Sequence, residues 1–196
     1  MSKRLRTGMI AGLLFVVASV AAAGPQFSLR DTAGVMHSQQ EWSDKRAIVI
    51  FFTTVDCPLS NGYVPEMNRI SKAYSNRGVA FYAVESDPTV PETQVRRHTA
   101  DFQFAFPVLL DPKQFLVRLA DASATPEVAV FSGAGKLLYL GRIDNRAEDI
   151  DRRRTVITEH DLTDALDSVL AGKPVAHPKT KVVGCIINYV ANGKKI

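Results

Sequence analysis

Residues 47–61 read AIVIFFTTVDCPLSN, and their order predicts a strand, a cysteine and a helix in immediate succession. The run from Ala47 to Thr54 is apolar and β-branched without alternation, as in a strand covered on both faces by helices. Cys57 ends that strand, and Pro58 suits a first helical position, where its missing N–H would be unpaired anyway. Beyond it Tyr63, Met67, Ile70 and Tyr74 recur at spacings of three and four, which predicts a helix to about Asn76. A thiol at such a junction faces free backbone N–H groups and the positive end of the helix dipole, so its thiolate is favoured. Thr54 and Ser60 are placed to donate hydroxyl hydrogen bonds to the sulfur, while Asp56 opposes a second anion. Buried cysteines are often inert. The carboxyl end of a central strand, however, is where open α/β sheets place their sites.

Outward from this stretch the pattern repeats. Phe27–Leu29 and the turn-rich Asp31–Gly34 predict an edge hairpin, and VAFYAVESD (79–87) a second buried strand. A polar helix is expected after Pro91, a third strand at Phe106–Asp111, and a short helix capped by Asp111-Pro112 and ending at Ala120. EVAVF (127–131) and KLLYLGRID (136–144), separated by Ser132–Gly135, predict a hairpin. Leu162, Ala165, Leu166, Val169 and Leu170 form the stripe of a last helix, which Gly172 stops. This order predicts an α/β domain over 24–172, a central mixed β-sheet with helices on both faces. A C-terminal extension follows over 173–196: a proline- and lysine-rich linker, read as flexible, then VVGCIINYV with Cys185.

The N-terminus is compositionally separate. Lys3, Arg4 and Arg6 precede the apolar run Met9–Val20 and Ala21-Ala22-Ala23, the order of a cleavable secretory signal over 1–23. That run is shorter than the roughly 20 apolar residues of a spanning helix, so membrane contact is expected only in transit. The formal net charge of +4 owes three charges to this segment, so the basic balance is no argument for nucleic acid. A periplasmic or secreted location follows, in which the two cysteines, Cys57 and Cys185, can form a disulfide. No zinc-type spacing is present, and His37, His98, His160 and His177 stand singly, so neither metal nor other cofactor is expected.

Over roughly Phe27 to Gly172 the chain resembles thioredoxin-fold proteins of the redoxin group, which includes alkyl hydroperoxide reductase/thiol-specific antioxidant and thiol-disulfide oxidoreductase families. Cys57-Pro58-Leu59-Ser60 stands at the CxxC position, Pro65 lies eight residues after the cysteine, and ATPEVAVF (124–131) is similar to the segment containing the fold's cis-proline. The resemblance implies a thioredoxin-like fold and a cis Thr125-Pro126 bond beside Cys57, offering backbone groups to an extended substrate. The departures restrict the chemistry. Ser60 replaces the second cysteine, and Phe51 stands where thioredoxins carry a buried acid. Thr54 and Cys57 keep the TxxC part of the peroxiredoxin motif, but Ile50 replaces its proline, and no arginine can be assigned near Pro126.

A thiol left as a sulfenic acid or mixed disulfide is resolved by a second thiol, and Cys185 is the candidate. A permanent bridge closing a long loop is the competing expectation, worth roughly 5 kcal/mol in chain-entropy models. An unpaired Cys185 is the third. The expected function is an exported thiol oxidoreductase acting on protein thiols or disulfides with an external reductant. The alternatives are a thiol peroxidase reducing hydroperoxides and a non-catalytic binding module.

Overall fold

The apolar run becomes the centre of the sheet. The computed structural model describes residues 26–191 and 194–195; the expected signal segment lies outside them. Strands β1 (Ser28–Arg30) and β2 (Met36–Ser38) form the predicted antiparallel hairpin. They are followed by β3 (Ala47–Thr53), α1 (Pro58–Tyr74), β4 (Val79–Glu85), α2 (Glu92–Asp101) and β5 (Val108–Leu110). Next come α3 (Phe115–Ala120), β6 (Ala124–Thr125), β7 (Glu127–Phe131), β8 (Leu137–Gly141), α4 (Asp161–Leu170) and β9 (Cys185–Ile186).

The main sheet has the order β5-β4-β3-β7-β8, with β3, β4 and β5 parallel and β7 and β8 antiparallel to their neighbours. Every residue of β3 is buried, because both faces are covered. Val49 and Phe51 pack with Tyr63, Met67 and Ile70 of α1, Val95 of α2 and Leu162 and Leu166 of α4. Ile48, Ile50 and Phe52 face the other way, into a second core with Trp42 and Leu116 and Val117 of α3. Helices therefore lie on both faces, as the lack of alternation in β3 requires.

Two boundaries move. Strand β3 stops at Thr53, before Cys57, because the Glu85 carboxylate takes the Val55 amide (3.2 Å) that would otherwise extend the ladder. Helix α3 begins at Phe115, not at Pro112. Asp111 still caps it from outside, accepting from the Phe115 and Leu116 amides at 2.7 and 2.8 Å.

The segment after Gly172 is held at two places. Its first anchor pairs with β8, where Leu140 N donates to Pro178 O (3.0 Å) and Thr180 N to Leu140 O (3.2 Å). A Cβ on Gly141 would collide with the Thr180 side chain, so glycine admits this strand. The second anchor grips residues 187–190. Ile187 is buried, and its amide donates to Ser123 O at 3.0 Å. Fully buried Gln114 donates to Asn188 O and accepts from Val190 N, both at 2.9 Å. Arg118 donates to Val190 O at 2.6 Å and stacks on the Tyr189 ring. The proline and lysine composition suggests a flexible linker; Pro178 instead lies along a sheet edge, where its carbonyl suffices for pairing.

Candidate active site

Cys57 sits at the N-cap of α1, in extended conformation, with Pro58 as the first helical residue. Its amide donates to Thr54 O (3.2 Å), closing a tight turn, and its sulfur accepts the Ser60 amide at 3.4 Å. The side chain has no exposed surface. Opposite it, the Thr125-Pro126 bond is cis, and the Cys57 thiol approaches the Thr125 carbonyl at 3.1 Å.

The C-terminal segment completes the site. Strand β9 pairs antiparallel with β6, placing Cys185 directly across from Thr125. Gly184 makes this possible, since a Cβ there would strike the Thr125 carbonyl. Both cysteines are free thiols, Cys57 buried and Cys185 partly exposed.

The two thiols are unequal. Burial pushes the Cys57 thiol up, but donors outweigh it: the Cys185 thiol, the Thr125 hydroxyl and the Ser60 and Cys185 amides hold it below its ordinary value. The Thr125 hydroxyl lies beside the sulfur but makes no well-aligned hydrogen bond. Cys185 moves the other way, to about 11, first through burial and then because its proton is shared with the Cys57 sulfur. Of the two sulfurs, Cys57 therefore gives up its proton the more readily and Cys185 the less.

Of the hydroxyls expected to support that thiolate, neither bonds the sulfur directly. Thr54 is bound to the Glu85 carboxylate. Ser60 contributes its amide, while its buried hydroxyl has no partner among the described residues. The reason is geometric: at a helix start the backbone N–H groups converge on the cap atom, and side chains project sideways. A cavity of about 140 Å³ adjoins the site, lined by Thr54, Asp56, Ser86, Asp87 and Asn188 besides the two cysteines and Thr125. Among the described residues, no arginine lines it.

Two buried carboxylates shape the surroundings. Glu85, 4% exposed, is raised by burial to about 7, against the opposing bonds from the Asp87 amide, the Thr54 hydroxyl and the Val55 amide. It braces the turn that carries Cys57. Glu127 accepts from the Ser123 and Ala124 amides at 2.6 and 3.3 Å and so fixes the turn before Pro126. Each acid stands at one end of an apolar strand, and a charge so placed is the signal by which the sequence could have revealed it.

Residues 19–157 match the family model described as Redoxin. The chain belongs to the Redoxin family. Cys57, Thr125 and Pro126 lie inside the matched span, whereas Cys185 lies beyond its end. Among solved structures, a hypothetical protein of Sinorhizobium meliloti 1021 is 25% identical over 86% of this chain and 93% of its own, with a TM-score of 0.74. An uncharacterized conserved protein of Geobacillus kaustophilus is 26% identical over 92% of this chain and 98% of its own, with a TM-score of 0.72. A secreted Mycobacterium tuberculosis disulfide oxidoreductase shares the fold at 16% identity, covering 75% of this chain and 96% of its own, with a TM-score of 0.53. No curated protein matches the chain. The redoxin is thus a thioredoxin-fold protein with a single cysteine in its motif and a second one brought in from the tail.

Proposed function

We propose that this redoxin is an exported thiol oxidoreductase in which Cys57 is the nucleophile and Cys185 the second thiol of one redox pair. The pair cycles between dithiol and disulfide, with thiols or disulfides of other proteins as the external partners. One observation carries this reading: the Thr125–Cys185 pairing holds the second thiol within hydrogen-bond reach of the Cys57 sulfur, with Cys57 the more acidic of the two. A readily ionised thiol beside a second thiol is the reduced form of a couple ready to bridge. The secreted M. tuberculosis disulfide oxidoreductase of the same fold supports export and this chemistry. A peroxide site would need a cationic group to polarise the O–O bond, and the cavity at Cys57 presents Asp56 and Asp87 instead.

The test is nonreducing peptide mapping of the purified protein, together with exchange activity on a model protein disulfide. A Cys57–Cys185 bridge is expected, with loss of exchange in Cys57→Ser. Wild-type exchange no faster than the uncatalysed background, and so the same in Cys57→Ser, would assign the molecule to the binding modules.

A further inference from the structure

We infer that an external thiol opens the Cys57–Cys185 bridge by attacking Cys185, with Cys57 as the internal leaving group; this rests on the redox pair proposed above. The roles expected from the sequence are thereby exchanged. Cys185 carries the outside group, and Cys57 closes the bridge from within.

Access decides the order. Cys57 has no exposed surface, and its sulfur already has the Ser60 amide at 3.4 Å and the Thr125 carbonyl at 3.1 Å against it. Cys185 is partly exposed, and its neighbour Ile186 is 81% exposed. The backbone position beside Thr125, where an extended partner would lie against Cys57, is filled by the chain's own Gly184 and Cys185. Nor is this segment free to swing away. The Leu140–Pro178 and Leu140–Thr180 bonds hold one end, and Gln114, Arg118 and buried Ile187 hold the other. A partner therefore meets Cys185 first, on the outer side of a strap that stays in place.

The chemistry balances in two steps. The external thiolate forms a disulfide bond with the Cys185 sulfur as the Cys57–Cys185 bond breaks, and the electron pair leaves on Cys57. Cys57 is the better leaving group, because the Ser60 and Cys185 amides receive its charge. A second external thiol then attacks the sulfur of the first, releasing Cys185, which takes a proton; the external thiols leave as a disulfide. Run without that second thiol, the Cys57 thiolate attacks the Cys185 mixed disulfide and restores the bridge.

Glutathione tests the polarity. Full-length oxidised protein is mixed with it, quenched in acid over a series of short times, alkylated with N-ethylmaleimide and mapped by mass. Extrapolated to zero time, the glutathionyl adduct is expected on Cys185 over Cys57 by about tenfold or more, with maleimide on Cys57. Equal adducts, or a majority on Cys57, overturn the inference while leaving the redox pair intact. Failure of the oxidised protein to show any bridge overturns the pair itself, and the inference with it.

Discussion

Replacing Cys185 by alanine should make the Cys57 thiolate harder to form, and the structure sets the scale. The Cys57 sulfur takes donors from the Cys185 thiol and the Ser60 and Cys185 amides, with the Thr125 hydroxyl beside it. Alanine removes one of them and leaves the amides in place. A hydrogen bond to a charged acceptor is worth about 1.5–3 kcal/mol. A thiol is a weak donor, so the lower end applies. That corresponds to about a tenfold smaller thiolate fraction below neutrality, since 1.4 kcal/mol is one factor of ten. The assay is iodoacetamide alkylation of Cys57 as a function of pH, read from the midpoint of the profile and not its plateau, because alanine also opens space at the sulfur. The midpoint should move up in Cys185→Ala and return most of the way in Cys185→Ser, whose hydroxyl restores a donor. A Cys185→Ala midpoint equal to or below that of wild type would refute the support of the Cys57 thiolate by the Cys185 thiol.

Gly184→Ala should push the strap off Thr125, since its Cβ would meet the Thr125 carbonyl. Overpacking of this kind costs about 1–3 kcal/mol, so both the melting temperature and the rate of bridge formation should fall; a variant that bridges as fast as wild type contradicts the pairing. Glu85 predicts a pH effect on stability. Its folded value of about 7 lies above the unfolded carboxylate range, so its contribution is fully present below about pH 4 and is lost as pH rises through 7. About 3 kcal/mol is at stake. Urea unfolding at pH 5, 6, 7 and 8 should show this decline in wild type and a flatter dependence in Glu85→Gln. Equal slopes in the two proteins would exclude Glu85 as its source.

The parts legible in the sequence are those fixed by local pattern. The uninterrupted apolar, β-branched run at 47–53 predicts a strand with two covered faces, and the spacing from Tyr63 to Tyr74 predicts one face of a helix, as found. Cys57-Pro58 marks their junction because proline's geometry is decided within the residue itself. The tail was illegible for the opposite reason. Strand β9 has two residues, and its partner lies about sixty positions earlier in the chain. Neither Gly184 nor Gln114 announces that it will meet Thr125 or Val190. The assignment of hydroxyl donors to Thr54 and Ser60 rested on spacing alone, which counts turns of helix but does not give side-chain directions. Glu85 was overlooked because it closes an apolar run that reads equally well as a strand ending in solvent.

The first anchor of the tail has a consequence unrelated to sulfur. Strand β8 is the last in its sheet, and its Leu140 carbonyl and amide bond Thr180 and Pro178 respectively. A shortened chain ending at Gly172 would leave those groups as an open template for a second molecule. Such a truncation should be judged first by whether the protein stays monodisperse, because the tail is also a guard against sheet-to-sheet association.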